Sequence, residues 1–195
     1  WCEANFISQE EALQKLFNIS DIKKLVELFP AELKLAKEKA DNCPIQMGGE
    51  GAISFLYHLI KEAKPTKIIE TGVAYGWSSL AILLAIKDNN NNNARLISND
   101  MPYIKMNNDV FVGCVVPDNL KSKWELQRLP DIKGIPLALK KFNNEIDLCH
   151  YDSDKSYTGR MWASPLLWNA LRTNGLFISD DINDNLAFKH FCESA

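Results

Sequence analysis

The sequence has 195 residues, of which 46% are hydrophobic and 24% are charged, and its formal net charge at pH 7 is −3. This length and composition fit one α/β domain with a substantial core and a helical extension. The small negative charge gives no basic field, so we expect no nucleic-acid substrate. No apolar run approaches the ~18 residues that a membrane-spanning helix needs, so we expect no membrane span.

Five cysteines are spread along the chain without any C-x-x-C pair: Cys2, Cys43, Cys114, Cys149 and Cys192. An odd number without metal-ligand spacing indicates free thiols in a reducing compartment. No signal peptide is visible, and we therefore expect a cytoplasmic protein. The chain begins at Trp1 rather than at methionine, so a targeting segment ahead of it would not be seen.

The N-terminal part, residues 1–45, predicts a helical cap ahead of the main domain. Residues 9–40 are rich in Glu, Lys, Leu and Ala, and Pro30 suits the first turn of a helix. A glycine-rich loop over 43–51 then leads into a helix over 52–64. We expect this segment to precede an α/β domain rather than to form part of its sheet.

Residues 46–195 predict the main domain, in which strands and helices alternate. The predicted strands are 67–71, 94–99, 124–129, 146–151 and 176–179, and the predicted helices are 79–87, 135–142, 157–171 and one that begins near Asp184. This alternation indicates an α/β fold with a doubly wound, Rossmann-like and mostly parallel sheet. The long connection over 101–122 is either a binding lid or a plain excursion of the chain.

The most informative motif follows the first predicted strand. An apolar run ends in Glu70, and Gly72 and Gly76 follow before a helical pattern begins at Ser79. A strand, a glycine turn and a helix N-terminus together bring bare backbone N–H groups against a nucleotide-like ligand. The spacing is neither the G-x-G-x-x-G of dinucleotide enzymes nor a P-loop, because no lysine follows Gly76.

The second predicted strand is followed by an acid, Asp100. In open parallel sheets, ligands bind at the carboxyl ends of the strands, and a carboxylate there can accept both hydroxyl protons of a ribose. We interpret Asp100 as this ribose-binding acid. The alternative is a solvated loop aspartate ahead of Pro102.

A second acidic cluster follows the fourth and fifth strands, at Asp152 and at the doublet Asp180-Asp181. Three carboxylates that converge repel one another, and a divalent cation such as Mg²⁺ relieves the repulsion through oxygen ligands. The alternative is helix capping, by Asp152 or Ser153 at one site and by Asp181 or Asn183 at the other.

Lys155 lies three residues beyond Asp152, within reach of the same point. A lysine in a partly desolvated pocket can act as a general base. The alternative is a surface lysine that pairs with Asp154.

Several separate motifs resemble those of class I S-adenosylmethionine (AdoMet)-dependent methyltransferases, in the cephalosporin-hydroxylase-like or Methyltransferase-24-like group. The motifs are Met47-Gly48-Gly49, Ile69 to Ser79, Ser98 to Tyr103, Val112-Gly113, Val116-Pro117, Tyr151 to Tyr157 and Ile178 to Ile182. The chain is also similar to metal-dependent O-methyltransferases of the catechol type. Many relatives have histidine where this chain has Lys155, and their fold continues with a β-hairpin that this sequence is expected to lack.

The resemblance implies AdoMet as the cofactor and Mg²⁺ or another divalent cation as an assisting ion. The implied cofactor-binding residues are Met47, Gly49, Glu70, Gly72, Tyr75, Gly76, Ser78, Asp100 and Asp152. The implied metal ligands are Asp152, Asp180 and Asp181, and the implied catalytic residues are Lys155 and Asp152. The aromatic residues Trp77, Tyr103 and Trp162 are either walls of the site or core.

We therefore expect a methyltransferase that methylates a hydroxyl group of a small acceptor, with a sugar as one candidate. A non-catalytic AdoMet-binding module or partner subunit is the alternative, and a nicotinamide-dependent oxidoreductase is a weaker one. The chain could also form a homo-oligomer.

Overall fold

The computed structural model describes residues 1–103 and 108–195 of the chain. Four helices precede the sheet: α1 (Gln9–Phe17), α2 (Leu25–Leu28), α3 (Pro30–Asp41) and α4 (Ile53–Ala63). Ser8 caps α1, because its side chain accepts a hydrogen bond from the backbone N–H of Glu11. Pro30 occupies the start of α3, where its missing N–H costs nothing.

The main domain contains one sheet of five parallel strands with helices between them. The strands are β1 (Lys67–Thr71), β2 (Arg95–Asn99), β3 (Trp124–Gln127), β4 (Ile146–Tyr151) and β5 (Leu171–Ser179), and the helices are α5 (Trp77–Asp88), α6 (Asp131–Lys141), α7 (Tyr157–Ala170) and α8 (Ala187–Ser194). The strand order is β3-β2-β1-β4-β5, and every adjacent pair is parallel. The predicted Rossmann-like α/β class is confirmed.

The sheet separates two apolar layers. Ile68 and Leu96 face the layer built with α4 and α5, whereas Ile69 and Ile97 face the layer built with α6 and α7. This alternation along each strand follows from the period of two in a β-strand. Each such buried side chain contributes roughly 1.5–3 kcal/mol of transfer free energy, so both faces of the sheet are held tightly.

Helix α6 and strand β5 begin several residues earlier than the sequence predicts. Helix α6 starts at Asp131 rather than at residue 135, and it runs through Pro136. Gly134 lets this helix approach the sheet, since a Cβ there would lie 1.6 Å from Oδ1 of Asn99. Strand β5 starts at Leu171 rather than at residue 176. Its early residues are polar and Asn174 has a φ of 65°, so this irregular segment gives no strand pattern.

The connection predicted over 101–122 is partly built into the fold, although residues 104–107 lie outside the described part of the chain. The backbone N–H of Gly113 donates to the carbonyl of Ala74, at 2.8 Å, and that of Val115 donates to the carbonyl of Tyr75, at 3.1 Å. Val115 and Val116 are buried. Residues 113–116 of the connection therefore pack against the glycine turn after β1.

Across the described residues, the helices are all too short or too polar to span a bilayer.

Candidate cofactor and acceptor site

The turn after β1 depends on its glycines. Gly72 has a φ of +78°, and a Cβ there would lie 2.1 Å from the carbonyl oxygen of Asp152. Gly76 has a φ of +93° and stands immediately before α5. Both conformations favour glycine, and the close approach at Gly72 excludes any side chain. The turn therefore brings the end of β1 directly against the loop after β4.

Asp100 holds this turn in place. Its Oδ2 accepts hydrogen bonds from the backbone N–H groups of Val73, at 2.8 Å, and Ala74, at 2.9 Å. Its Oδ1 accepts a hydrogen bond from Nη1 of Arg128, at 2.6 Å. Asp100 is only 4% exposed, so it is not the solvated loop aspartate of the alternative interpretation. Most of its hydrogen-bonding capacity serves the turn.

A cavity of about 1970 Å³ opens at the carboxyl ends of the strands. It is lined by most of the predicted site residues, namely Met47, Gly49, Gly72, Ser78, Asp100, Asp152, Lys155, Asp180 and Asp181, and by the aromatic residues Trp77, Tyr103 and Trp162. Small-molecule sites usually occupy ~300–1,000 Å³. The cavity therefore has room for a cofactor and a second substrate side by side.

Three predicted cofactor residues are buried and do not line this cavity: Glu70, Tyr75 and Gly76. The Tyr75 hydroxyl donates to the carbonyl of Ile45, at 3.0 Å, and accepts from the backbone N–H of Met47, at 3.2 Å. Burial raises the pKa of Tyr75, so the hydroxyl stays protonated. Through these two hydrogen bonds, Tyr75 holds the glycine-rich loop over 43–51 in place.

Glu70 is the centre of a buried polar cluster that the sequence did not predict. Its Oε2 accepts hydrogen bonds from the hydroxyls of Ser79 and Ser98, and Ser98 in turn accepts from the indole N–H of Trp124. Its Oε1 lies 3.6 Å from Nδ1 of His150. His150 also lines the cavity, so it connects the buried Glu70 to the cavity wall.

The pKa values of this pair move in opposite directions. Burial acts to raise the pKa of Glu70, but His150 together with the hydroxyls of Ser78 and Ser79 outweighs it and holds that pKa below its usual value. Burial acts to lower the pKa of His150, but Glu70 together with the charges of Asp152 and Asp180 outweighs it and raises that pKa. Each group therefore stabilises the charged form of the other.

Lys155 connects two of the predicted carboxylates. Its Nζ donates to Oδ1 of Asp152, at 3.1 Å, and forms an ion pair with Asp181. The expected alternative, a pair between Lys155 and Asp154, is not what the structure has. Burial raises the pKa of Asp152, and the charge of Asp180 raises it further, against the opposing effect of Lys155.

The predicted metal site does not fit this arrangement. The ammonium of Lys155 stands between Asp152 and Asp181, and Oδ1 of Asp180 accepts a hydrogen bond from the backbone of Asp181, at 2.8 Å. No three His, Cys, Asp or Glu side chains in residues 1–103 and 108–195 are grouped so that they could hold a metal ion. The metal ligand set of Asp152, Asp180 and Asp181 is thus not supported. The helix-capping alternative is also wrong at α7, because Ser156, and not Asp152 or Ser153, caps that helix.

Sequence reasoning missed two further residues beside the site, Arg128 and Asp131. Arg128 pairs with Asp100, at 2.6 Å. Asp131 lines the cavity and accepts hydrogen bonds from the side chains of Asn99 and Ser153, and burial raises its pKa. Both residues follow β3 in the chain. Polar residues that follow a parallel strand lie at the edge of the sheet where ligands bind, and this rule, applied to β3, would have predicted both residues.

Comparison with known proteins agrees with this geometry. The family described as "Methyltransferase domain" matches residues 69–182, which is more than half of the chain and includes the glycine turn and the residues after β5. The chain therefore belongs to the methyltransferase domain family. No curated protein is similar enough in sequence to match.

Two solved structures share the class I methyltransferase fold. The O-methyltransferase from Bacillus cereus in complex with SAH has a TM-score of 0.59 at 16% identity, over 95% of this chain and 83% of that one. The SAH-bound Podospora anserina methyltransferase PaMTH1 has a TM-score of 0.58 at 17% identity, over 78% of this chain. This chain covers 62% of the Podospora protein's length.

Proposed function

We propose that the protein is an AdoMet-dependent methyltransferase that methylates a hydroxyl group of a small acceptor. The observation that carries the proposal is the glycine turn held by Asp100, which opens onto a cavity with room for a cofactor and an acceptor. The solved structures of similar fold contain SAH, which is the product that AdoMet leaves after methyl transfer. The same pocket would hold AdoMet here.

The cofactor would lie across the turn between β1 and α5. Gly72 and Ser78 line the cavity there, and the N-terminus of α5 supplies the partial positive charge that favours a carboxylate. Asp100 retains a lone pair for a ribose hydroxyl, because each carboxylate oxygen can accept about two hydrogen bonds. Glu70 is fully buried, so it would act on the amino-acid end through neighbours that line the cavity, such as His150 at 3.6 Å.

The reaction would be an in-line attack of the acceptor hydroxyl on the methyl group of AdoMet. The new O–CH₃ bond forms as the S–CH₃ bond breaks, SAH leaves, and the hydroxyl proton goes to a base. Lys155 and Asp152 would orient the hydroxyl, and Nζ of Lys155, after passing one proton to the paired Asp152 carboxylate, is the proposed acceptor of the hydroxyl proton. Since the sulfonium is already activated, most of the rate enhancement would come from positioning.

The acceptor would occupy the part of the cavity opposite the turn. Trp162 and Tyr103 line the cavity, and aromatic faces can cover either a sugar ring or another small hydroxylated compound. Lys155 is the one lysine among the described residues that line the cavity. A sugar is one candidate, in a protein that could act as a homo-oligomer.

The test is calorimetric titration of the chain with AdoMet, with and without Mg²⁺, beside a titration with NAD. Binding of AdoMet without NAD binding supports the proposal, and equal affinity with and without Mg²⁺ supports cofactor binding that needs no metal ion. A screen of hydroxylated sugars with radiolabelled AdoMet follows. AdoMet binding without product on any acceptor would favour the non-catalytic module, and preferential NAD binding would overturn the proposal.

A further inference from the structure

Arg160 on α7 is a buried charged residue that neither the motifs nor the proposed reaction explains. Only 3% of it is exposed, and its guanidinium lies 5.9 Å from the centre of the Tyr151 ring. Burying an arginine is costly unless its donors are satisfied. Its hydrogen bonds therefore indicate what the residue is for.

Both Nη atoms of Arg160 donate to the end of β5, whereas its buried Nε has no hydrogen-bond partner among the described residues. Nη1 donates to the Ser179 hydroxyl, at 2.9 Å, and to the carbonyl of Asp180, also at 2.9 Å. Nη2 donates to the carbonyl of Asp181, at 3.1 Å. The partners are one hydroxyl and two backbone carbonyls rather than a carboxylate. Arg160 thus binds the backbone of the two residues whose side chains line the cavity.

The backbone at this point needs such support. Asp181 has a φ of 47°, in the left-handed region that non-glycine residues rarely adopt. The carbonyl of Asp181 also accepts a hydrogen bond from the backbone N–H of Asp184, at 3.2 Å. The planar guanidinium supplies two donors in fixed geometry, which suits two successive carbonyls.

We propose that Arg160 is a positioning residue that holds the Asp180-Asp181 turn with its carboxylates in the cavity. Through Asp181 it also sets where Lys155 lies, because Lys155 pairs with that carboxylate. Arg160 itself contacts neither the cofactor nor the acceptor. The catalytic consequence rests on the proposed function, but the effect on the turn does not.

The variant Arg160→Met tests the proposal by hydrogen–deuterium exchange at the amides of Asp181 and Asp184. Both amides are hydrogen-bonded in the structure. We expect at least tenfold faster exchange at these two amides, with little change in the turn after β1. Arg160→Lys should give an intermediate rate, since one ammonium can replace only part of the contact.

Arg172→Met is the matched control, since Arg172 lies at the other end of β5 and pairs there with Asp147. It should leave exchange at Asp181 and Asp184 unchanged. Unchanged exchange in Arg160→Met would overturn the proposal. An equal rise in exchange throughout α7 and β4 would also overturn it, because Arg160 would then stabilise the fold in general and not this turn.

Turnover provides the second readout. Arg160→Met should lower kcat at least tenfold while the Kd for AdoMet changes less than threefold, because the turn faces the acceptor. If the wild-type chain binds no AdoMet, the proposed function fails, whereas the exchange experiment still decides the role of Arg160. A loss of AdoMet affinity equal to the loss of kcat would contradict the acceptor-side role.

Discussion

Oε1 of Glu70 and Nδ1 of His150 face each other at 3.6 Å on adjacent strands, at paired positions of β1 and β4. Both side chains are buried, and neither atom has another hydrogen-bond partner within the described chain. An isolated charge at either position would be strongly unfavourable. The two residues therefore depend on each other for their charged states.

This pair predicts a pH window of maximal stability. His150 has a raised pKa, so its contribution is full below its unfolded value of 6.5 and is lost as pH rises through the folded value. Glu70 has a lowered pKa, so its contribution is present above 4.5 and is lost as pH falls through the folded value. Both contributions are full between pH 4.5 and 6.5.

His150→Gln tests this window by urea unfolding across the pH range. The variant leaves Glu70 buried without its partner, which should cost about 3–5 kcal/mol within the window. The difference from wild type should shrink at higher pH, where wild-type His150 also becomes neutral. A difference that stays constant from pH 5 to 9 would show that packing, and not charge, accounts for the loss.

Gly72→Ala should destabilise the protein by more than about 2 kcal/mol, because the backbone is left-handed and the new Cβ would meet a carbonyl. The carbonyl is that of Asp152, at 2.1 Å. The control is Gly49→Ala, where a Cβ meets no atom within 4 Å. Thermal unfolding should place Gly49→Ala within about 0.5 kcal/mol of wild type. Equal losses in both variants would contradict the close-approach explanation.

Asp100→Asn should loosen the glycine turn and weaken AdoMet binding at least tenfold. Asparagine offers one acceptor oxygen and no charge for Arg128, so we expect a loss of about 1–3 kcal/mol in stability. Asp109→Asn is the control, since Asp109 pairs with the same arginine but has a 61% exposed side chain. An exposed pair contributes only ~0–1 kcal/mol. If both variants bind AdoMet like wild type, Asp100 does not support the cofactor.

Lys155→Met should lower turnover by about 10²-fold, the low end of the range for losing a general base. The Kd for AdoMet should stay within threefold, because Lys155 lies on the acceptor side. Lys133→Met, on the exposed side of α6, serves as the control. Single-turnover kinetics with saturating AdoMet would measure the rate of the methyl-transfer step. Undiminished turnover in Lys155→Met would remove Lys155 from the mechanism.

Much of the fold follows from local pattern alone. The bounds of β1 and β4 are as predicted, because each is a short segment with apolar residues at its centre that lies between turn-forming residues. The early part of β5 was missed, since its residues are polar and Asn174 bends the strand. Periodicity within one segment cannot show that a polar stretch pairs with a distant strand.

The site was predicted in outline but not in its connections. The sequence placed Asp152, Lys155 and Asp181 together, yet it assigned a metal ion where the structure has an ion pair. It also named Glu70 without His150. Which side chains pair across a sheet depends on strand register, and register is set by the whole fold. The sequence did not indicate the role of Arg160 either, because two of its three hydrogen-bond partners are backbone carbonyls.

The central place of β1 in the sheet has a consequence for synthesis on the ribosome. Thr71 accepts a hydrogen bond from the backbone of Asp152, which lies 81 positions later in the chain. At translation rates of ~5–20 residues per second, roughly 4–16 s separate the two halves of this contact. Until Asp152 has been synthesised, β1 lacks its partner strand β4 on one side, and an unpaired strand edge favours self-association of the nascent chain.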